Sequence, residues 1–519
     1  MQTRANKPLI LTALLLAAFM INLDTTIVNV ALPTLVRELH ASTVQLEWIV
    51  DAYNLMFAAF VLAAGNLGDR VGRKGVLLAG LVVFGASTFA GGLVNSPGAL
   101  IAARAVMGLG AALIFPATLS LLTNVFTDRG ERARAIGLWG ATTGVGIAVG
   151  PIIGGWLLEQ FSWPSVFFAL VPFAAAAAVL VAVGVPTSRD PEAPPADRLG
   201  LLLSTGAMAV LIYTIIEAPN RGWDAALSLV GFVLAAVLLA AFIAWERRVR
   251  DPLLDINLFR NLRFSAASGA VTITFFSLMG FIFVITLYFQ FLKGYSPLST
   301  GVRLLPVAVM TGITSVLGTK LAVRSGTKMV VAGGMVCLAI GLAWASTAAT
   351  GSSYLKIAGT MVFIGSGIGL TSAPATESIM GAVSAAKAGV GSAVNDATRI
   401  TGATLGVAVV GSIYASIYAS RLADALPAQV PASVADSAQR SVGTAFGIAA
   451  HLGAAGQPAL AGGLHDAASK AFFDGFQTAV LVAVAVCLIG AVAAAILIPN
   501  QPPETACVEI DEAALVQAR

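Results

Sequence analysis

Charge is scarce in this chain. Lysine and arginine number 30 and aspartate and glutamate 26 among 519 residues, so charged side chains make up 11% and apolar ones 57%. Mean hydropathy is +0.87. A soluble chain of this length would split into several polar-surfaced domains, which this composition excludes; it points to a polytopic membrane protein. Three cysteines support no disulfide framework, since Cys337 and Cys487 fall in apolar runs and Cys507 in the tail. His40, His451 and His465 all lie outside apolar runs, so no histidine is available as a proton carrier within a membrane. No GxxxxGK[ST] phosphate loop occurs, so ATP does not drive this chain directly. No metal or cofactor is expected. The net charge of +4 is not a nucleic-acid signal, because the basic residues cluster in short segments between apolar runs.

Apolar runs, by contrast, are abundant. MQTRANKPLILTALLLAAFMINL imitates a signal peptide, but the run continues through Asp24 to Ala31 with no convincing cleavage site and is read as a first transmembrane helix. Windows near 9–32, 44–66, 75–95, 98–123, 133–158, 164–186, 199–218, 225–246, 263–291, 301–323, 328–348, 354–382, 387–420 and 471–498 give fourteen spans. Alternate connections carry the base: Arg70, Arg73 and Lys74; Arg129, Arg132 and Arg134; Arg247, Arg248, Arg250, Arg260 and Arg263; Arg324 and Lys328. The opposite set is nearly free of it, which places both termini in the cytoplasm of a multi-pass protein of the cell membrane.

The expected fold is all-α. Two pseudo-symmetric six-helix bundles, 1–186 and 263–498, flank a linker with two additional spans at 187–262, and a cytoplasmic tail occupies 499–519. GNLGDRVGRKGVLL at 65–78 and GTKLAVRSGTKMVV at 318–331 mark corresponding places in the halves, a symmetry expected of a transporter whose site lies between repeats. Residues 421–470 are expected to form a long extracellular loop, with SVGTAFGIAAHL as a short amphipathic helix on the membrane surface.

Ionisable groups inside spans are functional candidates, since hydrocarbon penalises them by ~2.5–3.5 kcal/mol on insertion scales. Asp24, Asp51 and Arg104 all fall roughly 9–12 Å below the outer face at ~1.5 Å per helical residue. Burial opposes the charge on a carboxyl and a guanidinium favours it, so such a cluster can hold a titrating group. The alternative is a static ion pair that locks helices together. Asn395, Asp396 and Arg399 share a helical face, read as mutual neutralisation within a cavity rather than a second proton site. Glu377 either lines the cavity or snorkels to the cytoplasm. Phe57, Phe60, Phe115, Phe275, Phe276, Phe281 and Phe283 suit either a greasy cavity or simple packing.

The stretch GLWGATTGVGIAVGPIIGGW at 137–156 is glycine-rich yet apolar, and such a helix survives in lipid because unsatisfied backbone costs more than poor propensity. Gly146, Gly150 and Gly154 are spaced by four and form one flat stripe for close helix approach, with Pro151 and Gly155 beside it.

Several motifs together resemble the fourteen-span drug:proton antiporters of the major facilitator superfamily, the EmrB/QacA type. GxxxGPxxGG at 146–155 resembles that group's fifth-helix antiporter signature, and LDTTIVNVALP at 23–33, which includes Asn29, its first-helix motif. RAVMGLGAA at 104–112 resembles the fourth-helix motif, with Met107 where glutamine is common. GNLGDRVGRK at 65–74 matches the cytoplasmic loop motif, in which Gly65, Asp69, Arg70, Gly72, Arg73 and Lys74 gate the two halves. WPSVFFALVP departs from the usual WRWIFLINVP at Pro164, Ser165 and Leu170. The resemblance implies a monomeric, non-enzymatic antiporter of amphipathic small molecules, driven by the proton gradient. Asp24 and Arg104 would carry the coupling, joined by Asp51. A dedicated exporter of one natural product or lipid-like metabolite is the alternative, and a non-transporting receptor or scaffold a more distant one.

Overall fold

The computed structural model describes residues 7–126, 129–189, 197–382, 388–426 and 432–499, and every regular element among them is helical. The first half runs α1 (Lys7–Leu39), α2 (Thr43–Val71), α3 (Arg73–Gly91), α4 (Pro97–Val125), α5 (Arg129–Gln160), the single turn α6 (Ser165–Phe168) and α7 (Leu170–Gly184). An inserted pair follows, α8 (Arg198–Arg221) and α9 (Ala226–Glu246). The second half opens with α10 (Leu262–Leu287), extended by a π-helical turn at Tyr288–Leu292, then α11 (Pro297–Arg303), α12 (Leu305–Ser325) and α13 (Thr327–Ala345). It closes with α14 (Tyr354–Gly381), α15 (Ala388–Ala425), α16 (Ala432–Arg440), α17 (Val442–Ala454) and α18 (Pro458–Leu497).

Local chemistry sets the boundaries. Ser42 and Gln45 form a reciprocal capping box at the start of α2, while Ser96 and Ser296 cap α4 and α11 just before a proline at the first helical position. Twelve helical segments among the described residues are long and apolar enough to cross a membrane. α2 and α5, with 29 and 32 residues, are not among the twelve. α2 carries Gln45, Glu47, Asp51 and Asn54 along its first turns, and α5 includes side chains outside the described set.

The halves are built alike. α2 and α3 pack on α4 as α12 and α13 pack on α14, and α1 packs on α5 as α10 packs on α15. The two related sequence stretches become the same device: Gly72 (φ 127°) alone separates α2 from α3, and Gly326 (φ 87°) alone separates α12 from α13. Both angles are open to glycine and strained for any other residue. The motif expected as a loop is therefore two abutting helix ends. Gly65, Asp69 and Arg70 belong to α2, and Arg73 and Lys74 to the first turn of α3.

Among its described residues the segment 421–470 is also largely helical rather than a loop. α15 runs to Ala425 and α18 starts at Pro458, so 38- and 40-residue helices rise past the membrane-length core on this side. Forty residues span about 60 Å, against ~30 Å of hydrocarbon. SVGTAFGIAAHL does form a helix, α17, but one face rests on α18 and the end of α1. Alanine-rich composition reads as loop; helix propensity and the neighbouring long helices decide otherwise.

The two halves meet at the end where α1 gives way to α2, called here the Ser42 end. There α2 packs on α15 and α5 packs on α11. Gln290 Nε2 donates to the Val30 carbonyl (2.8 Å), Leu298 N–H to Glu159 Oε1 (3.3 Å) and Thr43 Oγ1 to the Arg440 carbonyl (3.0 Å). The opposite end carries the Gly72 hinge.

Candidate functional site

At the centre of the first half Arg104 Nη1 donates to Asp24 Oδ2 at 2.7 Å, with side chains 1% and 0% exposed. Arg104 Nε donates to the Ile49 carbonyl (3.0 Å), and the guanidinium lies 4.3 Å from the centroid of the Tyr53 ring. The arginine is thus held by a carboxylate, a backbone oxygen and an aromatic face, each an established partner for this group. Asp24 Oδ1 has no hydrogen-bond partner. The pair is therefore less than saturated on the carboxylate side.

Asp51 does not join it. Ile49 and Tyr53 are four apart and present one face of α2 to Arg104; Asp51, between them, points about 200° away at ~100° per residue. It is fully buried, with Asn54 beside it and no hydrogen bond of standard geometry to either carboxylate oxygen. Equal depth, which the sequence indicated, did not mean a shared face. On Asp51's own face lies Glu47, one turn earlier, a residue that sequence reasoning passed over because it sits near the end of its span. Glu47 is 0% exposed, and its Oε2 accepts from Ser412 Oγ of α15 at 2.8 Å.

A cavity of about 70 Å³ lies between the halves, lined by Asn22, Thr25, Asn54, Phe57, Phe115, Phe275, Met279, Asp396 and Arg399 among others. That volume holds a few waters and no drug-sized molecule, which needs ~300 Å³ or more, so the halves must part further to load one. Phe57, Phe115 and Phe275 line it, whereas Phe276, Phe281 and Phe283 are buried in the core and Phe60 packs against it. The Arg399 guanidinium lies 4.5 Å from the Phe275 ring centroid, beside Asp396.

Three other expected cavity residues fall outside that lining. Asn29 is buried and donates to the Thr25 carbonyl of its own helix at 3.0 Å. Asn395 accepts from Thr376 Oγ1 at 3.0 Å, and Glu377 is exposed near the end of α14, as a snorkelling side chain would be.

The glycine stripe packs inside the bundle. A Cβ at Gly146 would lie 3.0 Å from the Phe19 carbonyl oxygen, and one at Gly154 3.1 Å from that of Ile27; at Gly150 it would overlap Thr26. All three neighbours are on α1. Gly155 turns instead to the other half, where a Cβ would overlap the backbone of Leu298, and Pro151's carbonyl meets Gly301 of α11. The hinge motif, expected to latch the halves, touches the end of α7 and the segment after it. Lys74 Nζ donates to the Ala182 carbonyl (2.8 Å) and Arg73 N–H to that of Ser188 (2.9 Å), while Arg70 is exposed. The Asp69 side chain lies outside the described residues.

Two repeated helical halves around a central cavity, with a buried ion pair beside it, define a membrane transporter. A family model described as Major Facilitator Superfamily matches residues 14–407, and the chain belongs to that superfamily. The multidrug resistance protein Stp of Mycobacterium tuberculosis is 34% identical over 398 residues, covering 77% of this chain and 74% of Stp. The multidrug efflux pump LfrA of Mycolicibacterium smegmatis is 34% identical over 404 residues, covering 78% and 80%. The tetracenomycin C resistance and export protein of Streptomyces glaucescens is 34% identical over 403 residues, covering 77% and 74%. A bacterial homolog of the human lysosomal transporter Spinster, solved inward-facing and occupied, shares the fold at TM-score 0.62 and 16% identity, over 95% of this chain and 97% of that one.

Proposed function

We propose that this protein exports hydrophobic or cationic small molecules across the cell membrane in exchange for protons, with Asp24 as the proton carrier and Arg104 as its counter-ion. The observation that carries this reading is the buried Asp24–Arg104 pair with one carboxylate oxygen unsatisfied, on a helix whose Asn22 and Thr25 line the cavity. A proton on Asp24 loosens its hold on Arg104; substrate entering the cavity favours the opposite state, so the two compete and alternate. The relatives named above are resistance and efflux proteins, which supports an amphipathic substrate.

The same reading completes the topology. α2 and α5 join the twelve apolar segments to make fourteen spans of the EmrB/QacA type. The basic hinge end then lies in the cytoplasm with both termini, the Ser42 end outside, and the working unit is a monomer. Purified protein in proteoliposomes tests this with a panel of cationic, neutral and zwitterionic compounds. Uphill movement that appears with a pH gradient and vanishes without it is the expected result. Substrate movement indifferent to the gradient would overturn the antiport assignment, and acceptance of a single compound would make this a dedicated exporter.

A further inference from the structure

We propose that Glu47 is a second proton carrier of the transport cycle, one that closes the outer end: protonated, it sits against Ser412 and joins α2 to α15; ionised, it parts from α15 and lets that end open. The contact is built rather than incidental. It crosses between the halves, its two residues are both fully buried, and a Cβ at Gly411 would lie 2.8 Å from the Glu47 carboxyl carbon, so glycine there makes the room.

Charge decides its protonation state. Glu47 Oε1 has no hydrogen-bond partner, and Asp51, one turn along, is equally buried. From α8 the nearby ionisable group is Glu217, another acid, whose Oε1 accepts from Trp48 Nε1 at 3.4 Å. Arg221, one turn beyond, is exposed and engaged with Tyr213. α15 offers the Ser412 hydroxyl, while its Tyr414 faces Phe472 and Gly475 of α18. The nearest buried cation, Arg104 of α4, is on the opposite face of α2 and already holds Asp24. Neighbouring buried carboxylates with no cation cannot both stay ionised, so the closed seam holds at least one proton, and Glu47, the acid in contact with α15, is where it closes the seam. Opening the seam gives Glu47 water, where the ion is stable, and the proton leaves to that water. Uptake from the same side reverses the step. Glu47, Asp51 and Asn54 follow one stripe of α2, and Asn54 lines the cavity, so the closing group is linked by polar side chains to the substrate space.

This proposal rests on the antiport reading for a cycle that carries protons and for taking the Ser42 end as the outside, but its test reads conformation, not transport. In a cysteine-free background, spin labels at Phe161 and Leu355, exposed at this end on opposite halves, report the gap by pulsed EPR. The protein in nanodiscs should shift from short to long distances between about pH 5 and about pH 9, a range wide enough to ionise a buried carboxyl. Glu47→Gln should stay short at both. Ser412→Ala, which keeps the acid, should raise the open-to-closed ratio about fivefold at acid pH, as loss of one ordinary hydrogen bond implies. Asp24→Asn should keep the pH response even where proton-driven efflux is lost. A Glu47→Gln protein that opens with pH like the parent would overturn the proposal. So would a parent with no response, or, should Glu47→Gln fail to fold, a Ser412→Ala protein with parental distances.

Discussion

Asp24 of α1 and Arg104 of α4 lie 80 positions apart and meet at 2.7 Å with almost no solvent contact. Neither helix can slide without breaking that pair, so the protonation of one carboxyl is tied to the packing of two helices. Asp24→Asn mimics the permanently protonated state. Downhill exchange of substrate should persist while uphill efflux on a proton gradient falls to background, as measured in proteoliposomes alongside proton release on substrate addition. If the pair is purely structural, thermal stability drops, by about 3–5 kcal/mol for a broken buried pair, and surviving molecules still pump uphill.

Gly150→Leu should stall transport without preventing insertion. The side chain would be forced into Thr26 and the Leu23 carbonyl on α1, an overpacking that costs about 1–3 kcal/mol. Leucine favours hydrocarbon more than glycine does, so membrane abundance is expected to stay normal. Normal efflux at normal abundance would show that α5 can shift away from α1 at no cost.

Asp396→Asn should discriminate between substrates. It removes the carboxylate beside Arg399 and leaves the cavity with an uncompensated positive charge. Efflux of permanently cationic compounds is expected to fall about tenfold, equivalent to roughly 1.4 kcal/mol, while neutral ones change little. Equal losses for both classes would place the pair in helix packing instead.

Gly72→Ala and Gly326→Ala should behave alike, because both residues hold positive φ between abutting helices. Each is expected to lose about 1–3 kcal/mol of stability, visible as a lower Tm in detergent. A large loss at one hinge and none at the other would mean that the two halves do not share this device in solution.

The sequence carried the helices well because lipid enforces long apolar runs, and it carried the Asp24–Arg104 pair because depth along a helix can be counted. Depth says nothing of direction around the axis. Depth alone therefore groups Asp51 with Arg104, although Ile49 and Tyr53 occupy that face. Glu47 escaped notice for the converse reason: near a span end an acid reads as solvated, and only the partner helix α15 reveals that it is covered. Asn29, Asn395 and Glu377 matched the expected polar types but turn to backbone, to Thr376 and to the surface. The place of α8 was not legible, since its few polar residues among a long apolar run do not show which neighbour it will choose.

That place has a consequence for traffic from the bilayer. α8 packs on both α2 and α15, with Ile212, Ile215 and Ile216 set over Val44, Leu55 and Ala408, whereas α9 rests mainly on α8. One of the two lateral junctions between the halves is therefore shuttered by a third helix. The other, where α5 meets α11 and α12, has no such cover among the described helices. A fat-soluble molecule arriving sideways from the lipid meets a one-doored enclosure, and its doorposts are Gly155 of α5 and Gly301 of α11.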